Sequence, residues 1–237
     1  VRSTHEESRG ALQDALRATL MEATGREVRE NPVRPGSGGP AGNALLTAWT
    51  ALVLLALSAA ELLTLFDVRG LITWHVALGA LLVPPALMKT ASTGWRMVRY
   101  YAGETSYRQA GPPPLVLRLL GPLVVASTLG LLGTGVLLVL LGEDRSRQSL
   151  LTMAGLRVDW VSVHQGFFAV WAVAAGLHVL GRLVPALRAT VLRAPVLPGS
   201  VAVVPGRWAR ILWMVVMVAV AAALAVALVH ADGSWAT

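Results

Sequence analysis

Long runs of apolar residues alternate with short polar segments along most of this chain. Five runs approach or exceed the roughly 20 residues that a helix needs to cross a hydrocarbon core. They fall at about Ala44 to Phe66, Leu71 to Met88, Leu115 to Leu141, Val158 to Val184 and Trp208 to Val229. Backbone N–H and C=O groups in lipid must be satisfied within their own segment, so the pattern predicts five transmembrane α-helices and an all-α membrane protein.

The segment before the first run, residues Val1 to Asn43, has a different character. Leu12, Leu16 and Leu20 recur every four residues between about Ser8 and Thr24, with Asp14, Arg17 and Glu22 elsewhere, which predicts a short amphipathic helix. The stretch NPVRPGSGGPAGN that follows reads as a linker because its prolines and glycines break regular structure. Such a helix suits docking to a cytoplasmic partner or to the membrane surface, or it belongs to a loosely ordered tail. No continuous apolar h-region marks this segment as a secretory signal peptide. The expected organisation is a tail over residues 1–43, a four-helix core over 44–184, and a loop with a fifth helix over 185–237.

Composition agrees with the pattern. The 237 residues are 55% hydrophobic and 14% charged, with a mean hydropathy of +0.62, too apolar for a water-soluble domain of this length. The net charge of +7 has a topological explanation and calls for no nucleic-acid partner. Lys89, Arg96, Arg99, Arg108 and Arg118 face only Glu104 between the second and third runs. Arg182, Arg188, Arg193, Arg207 and Arg210 face no acid between the fourth and fifth. Those loops are expected on the cytoplasmic side of a plasma membrane. The mixed-charge segments with Asp67 and Arg69, and with Glu143, Asp144, Arg145, Arg147, Arg157 and Asp159, are expected outside. This places the N-terminus inside and the C-terminus outside.

Two local features modify the helices. Pro84 and Pro85 are expected to kink or end the second helix near its cytoplasmic end. The basic stretch after them is expected to form a loop at the interface, with Trp95, Tyr100, Tyr101 and Tyr107 at headgroup depth.

The candidate chemistry lies in the histidines. With no cysteine in the chain, disulfides, thiolate metal sites and c-type haem attachment are excluded. His75, His164, His178 and His230 stand at or within the apolar runs, where ionisable groups are expensive and generally face a bundle interior. His164 and His178 are fourteen residues apart, which puts both rings within about 40° on one helix face and about 21 Å apart along its axis. His75 and His164 each follow the external start of a helix by a few residues, and alternate helices run parallel, so the two share one depth near the outer surface. Two imidazoles at one level are what a six-coordinate iron porphyrin asks of a protein, and a haem b fits there. The structural alternative is a hydrogen-bonded histidine pair, or polar residues meeting lipid headgroups.

Neighbouring residues bear on that site. Gly79, one turn from His75, and Gly130, Gly133 and Gly135 in STLGLLGTG leave room for a flat macrocycle or allow close helix contact. Phe168 and Trp171 continue the face of His164. Arg69 and Arg157 border the outer level and suit haem propionates, or are ordinary loop arginines. Glu61 suits a hydrogen bond to a ligating imidazole, proton uptake from a quinol, or a neutral carboxyl bonded to a backbone carbonyl. His230, at the end of the fifth helix, is a reserve ligand or a plain interfacial residue.

One histidine at the start of the second helix, with H-x13-H on the fourth, resembles the membrane-bound b-type cytochromes of the formate dehydrogenase and hydrogenase cytochrome subunit group. The stretch STGWRMVRYYAGETSYRQAGPPPLVLRLLGP is similar to actinobacterial cytochrome b-like membrane proteins. The likeness covers about Ala44 to Arg182. It implies a four-helix core in which His75 and His164 ligate an outer haem and His178 serves an inner one. The family's other inner ligand lies on the first helix, where this chain has neither histidine nor methionine. One haem b is therefore expected, with a second left open.

The expected function is that of a haem b electron-transfer subunit passing electrons between the quinone pool and a partner oxidoreductase. No G-x-G-x-x-G follows a strand, so substrate chemistry falls to a redox partner subunit. The alternative is a cofactor-free scaffold or assembly subunit, or a small transporter.

Overall fold

A computed structural model describes residues 2–27, 30–153, 155–191, 204–232 and 235. Its elements are α1 (Arg2–Ala23), α2 (Gly39–Thr64) ending in a 3-10 turn (Leu65–Asp67), α3 (Ile72–Tyr101) and the short α4 (Thr105–Gln109). There follow α5 (Leu115–Ser146), a hairpin of β1 (Leu151–Met153) and β2 (Leu156–Val158), α6 (Trp160–Thr190) and α7 (Arg207–Ala231). Helices α2, α3, α5, α6 and α7 are each long and apolar enough to cross a membrane. The protein is thus an all-α, multi-pass membrane protein, as the apolar runs predict. Arg193, counted above among the loop cations, lies outside the described residues.

The prolines do not end the second span. Helix α3 runs through Pro84 and Pro85 to Tyr101, and the stretch expected to be an interfacial loop supplies its last turns together with α4. A proline leaves one carbonyl four residues earlier without its N–H partner, here those of Ala80 and Leu81. Ala80, 2% exposed, and the fully buried Pro85 are packed against neighbouring helices, and transmembrane helices tolerate proline where such neighbours support the freed groups. Downstream, KTASTGWRMVRYY holds no further proline, and polar side chains do not interrupt a helix.

Helix α5 breaks near its end. Gly142 has φ 74° and ψ 170°, a backbone conformation open essentially to glycine alone. The break releases the Leu138 carbonyl, which accepts from Ser146 Oγ at 3.4 Å and from Trp235 Nε1 at 3.1 Å. Beyond it, β1 and β2 pair antiparallel with Leu151 opposite Val158, a hairpin that the hydropathy pattern does not predict.

Asp159 begins α6. Its Oδ1 accepts from the Ser162 N–H and from the Ser162 hydroxyl, both at 2.7 Å, an N-cap on the third helical residue. These bonds, with a smaller contribution from Arg157, hold its carboxyl below the ordinary value of 3.8. Replacing Asp159 by alanine is expected to cost about 1 kcal/mol of stability, read by thermal unfolding in detergent. A carboxyl depressed on folding stabilises fully above its ordinary range, and that contribution is lost as acid protonates it. Asp159→Asn should keep most of the cap while removing its acid sensitivity.

The chain forms two compact units. One comprises Val1–Trp49, Thr93–Val124 and Val173–Arg207; the other comprises Thr50–Ser92, Val125–Ala172 and Trp208–Thr237. In the first, Glu22 pairs with Arg182, and Arg188 donates to the Gly25 carbonyl. Glu104 pairs with Arg34 and, at 3.1 Å, with Arg99, whose guanidinium lies 4.3 Å from the Trp95 ring centre. In the second, Ala80, Val139, Ala225 and Leu228 form a core that joins α3, α5 and α7. Helix α7, which the cytochrome resemblance leaves outside the four-helix core, is therefore part of this packed unit. Small residues let these helix backbones approach, as membrane helices require.

Candidate functional site

The two histidines expected to act together both belong to the second unit, and they are held by the same device. At the end of α2, the 3-10 turn and the Asp67–Leu71 segment reverse the chain, and Asp67 Oδ1 accepts from the Gly70 N–H at 3.0 Å. This brings the last turns of α2 against the first turn of α3. His75 Nδ1 consequently lies 2.9 Å from Glu61 Oε1 and 2.9 Å from Thr64 Oγ1. The Thr64 hydroxyl has a single proton, and it is directed at the Glu61 carbonyl, 2.6 Å away. Thr64 can then only accept from the ring, which fixes the proton on His75 Nδ1.

His164 repeats the arrangement with a different partner. Its Nδ1 lies 3.0 Å from Thr134 Oγ1, and that hydroxyl donates back to the Gly130 and Leu131 carbonyls at 2.7 and 3.0 Å. The ring is again the donor, so His164 also carries its proton on Nδ1. In each ring Nδ1 is engaged, and neither Nε2 has a hydrogen bond among the described residues.

The glycines have distinct roles. A Cβ on Gly135 would stand 3.3 Å from His164 Cε1, and one on Gly79 would stand 3.7 Å from Glu61 Oε1. Gly135 therefore borders the His164 ring, and Gly79 borders the carboxyl group that holds His75. A Cβ on Gly130 would overlap the Phe167 ring, three residues along α6 from His164. Gly133 meets nothing within 4 Å and lines an apolar groove of about 250 Å³ with Val83, Leu87, Leu129, Leu132 and Val136.

The other expected participants are placed differently. His178 is half-buried in the first unit. Arg69 is exposed in the turn before α3, and Arg157 donates to the Arg147 carbonyl at 2.6 Å. His230 is exposed, with Nδ1 2.7 Å from the Val226 carbonyl of its own helix. Phe168 and Trp171 are half-buried and stack with ring centres 6.2 Å apart.

Sequence reasoning missed three residues. Thr64 and Thr134 set the histidine tautomers, and their only signal was a hydroxyl inside an apolar run. Asp232, just beyond α7, is 2% exposed, and neither of its carboxylate oxygens has a hydrogen-bond partner among the described residues. Burial raises its pKa, against the pull of His75. A carboxyl immediately after an apolar helix reads as a plain surface residue, so nothing in the sequence sets it apart.

Comparison with family models, with curated proteins and with solved structures finds no match to this chain.

Proposed function

We propose that this chain is a haem b electron-transfer subunit of the plasma membrane, with His75 and His164 as the two axial ligands. The observation that carries the reading is the matched arrangement of the rings: both Nδ1 atoms are anchored as donors, and neither Nε2 has a hydrogen-bond partner among the described residues. Ligating histidines commonly donate their second ring N–H to a carboxylate or another oxygen, which orients the ring and raises its basicity. Glu61 with Thr64 serves His75 in this way, and Thr134 serves His164.

The residues present fit the group. Two imidazoles with Nδ1 engaged would hold an iron porphyrin, and the glycines at 135 and 79 let the His164 ring, and the Glu61 carboxylate that holds His75, pack against helix backbone. With both axial positions filled by imidazole, haem would supply one-electron outer-sphere transfer and no open site for oxygen chemistry. The chain's own part is to fix the rings, and to keep water away through the apolar packing of Ala80, Val139, Ala225 and Leu228. The electrons would pass between the quinone pool and a partner oxidoreductase subunit, and the basic segments place the N-terminus in the cytoplasm. Arg69 and Arg157 stand as propionate partners in this proposal, and His178 enters only if the chain holds a second haem.

The test is spectroscopic. Protein purified after expression with adequate haem should show a Soret band and a dithionite-induced α-band, with one haem per chain by pyridine haemochrome. Two haems per chain would bring in His178, and colourless protein would overturn the proposal in favour of a scaffold or transporter. Thr134→Val, which removes the acceptor for His164 Nδ1 and keeps the side chain's volume, is expected to weaken haem affinity by about 10- to 100-fold, measured by haem titration.

A further inference from the structure

Helix α1 lies in the first unit with its apolar stripe unpartnered. Leu12, Leu16 and Leu20 are 57%, 45% and 63% exposed, although they are the largest apolar side chains of its amphipathic pattern. The same helix is held from a different side. Ala15 and Thr19 are half-buried and Glu22 is buried, Glu22 pairs with Arg182, and Arg188 donates to the Gly25 carbonyl just past the end of the helix.

The angles around α1 give this arrangement a meaning. At 100° per residue, Leu12, Leu16 and Leu20 spread over about 80°. Ala15, Thr19 and Glu22 centre about a quarter-turn to one side of them, and Asp14 lies roughly opposite Leu16. One side of the helix therefore meets the protein, the adjacent side is leucine, and the remainder is polar. The anchoring arginines sit in the last turns of α6, a membrane-crossing helix of 31 residues. About 20 residues suffice for the hydrocarbon core, so Arg182 and Arg188 belong at headgroup depth, and the end of α1 that they hold belongs there too.

We infer that α1 lies in the membrane–water interface beside the protein, with Leu12, Leu16 and Leu20 inserted among the lipid acyl chains. The occupant of the stripe is the bilayer that already surrounds α6, so this surface continues the lipid-facing surface of the molecule. The attraction is apolar. Arg2, Arg9 and Arg17 stand against Glu6, Glu7, Asp14 and Glu22 on this helix, three cations against four anions, which gives it no net attraction for anionic headgroups. Amphipathic helices of this kind bury their apolar face about 5–10 Å into the boundary region. The inference is independent of the haem reading.

The chain contains no cysteine, so single spin labels can be introduced directly into the full-length protein. In phosphatidylcholine nanodiscs, labels at Leu16→Cys and Leu20→Cys should collide more with oxygen than with a soluble nickel chelate, and a label at Asp14→Cys should show the reverse order. Adding phosphatidylglycerol should leave both orders unchanged. Leucine-stripe labels as open to nickel as the Asp14 label would overturn the inference. So would labels shielded from both reagents, which would point to a protein partner or a second copy, and so would insertion that depends on phosphatidylglycerol. Using two stripe positions guards against a local effect of either substitution.

Discussion

His75→Ala and His164→Ala should each abolish the haem spectrum of the purified protein, while His178→Ala leaves one haem's worth of it. The asymmetry follows from the donors. His75 and His164 share a unit, and each has its Nδ1 proton locked by a neighbour that can only accept, so Nε2 is the nitrogen each ring has left to offer a ligand. On the proposed reading, loss of either would remove one of the two residues that hold the haem, and no other histidine of that unit stands ready to replace it, since His230 Nδ1 is engaged with the Val226 carbonyl and its ring is exposed. Helical content by circular dichroism should survive in both variants, because neither ring belongs to the apolar core of Ala80, Val139, Ala225 and Leu228. Retention of the Soret band in His164→Ala would refute the pairing.

Gly130→Ala should be far more damaging than Gly133→Ala, the same conservative substitution one turn further along α5. A methyl group there would overlap the Phe167 ring, and overpacking of this kind typically costs 1–3 kcal/mol, about the same range expected here. Relieving the overlap requires Phe167 to move, and Phe167 is one turn from His164, so haem occupancy should fall together with the unfolding temperature. Gly133→Ala is the matched control: nothing lies within 4 Å of its added carbon, and alanine favours a helix over glycine by about 0.5–1 kcal/mol. Equal behaviour of the two variants would show that the contact between Phe167 and Gly130 does not carry the packing of α5 on α6.

The five spans were legible because hydropathy summed over some 20 residues is a strong signal that no single residue can reverse. Pro84 and Pro85 do not end α3 because their effect is local, whereas the continuation of the helix to Tyr101 is decided by packing around Ala80 and Pro85. His75 and His164 stood out as titratable rings in apolar surroundings. Their partners were harder to read. Glu61 was visible as a charge in a span, with three roles open, and the structure directs it at His75. Thr64 and Thr134 were hidden because a threonine hydroxyl in a helix ordinarily bonds to a carbonyl of the preceding turn. Both do so here, and their second bonds depend on chain reversals and helix neighbours that no local pattern encodes. The same holds for Gly130, whose partner is thirty-seven positions away in α6.

The break at Gly142 has a consequence for how α5 leaves the bilayer. Interrupting a helix strands a carbonyl, and a stranded carbonyl in hydrocarbon is worth several kcal/mol of penalty, on the order of a whole domain's net stability. Leu138 escapes that penalty because its oxygen has two lone pairs and both are taken, one by the serine four residues beyond the break and one by an indole from the chain's far end. The turn thereby covers the Leu138 acceptor, which is not left bare where α5 changes direction.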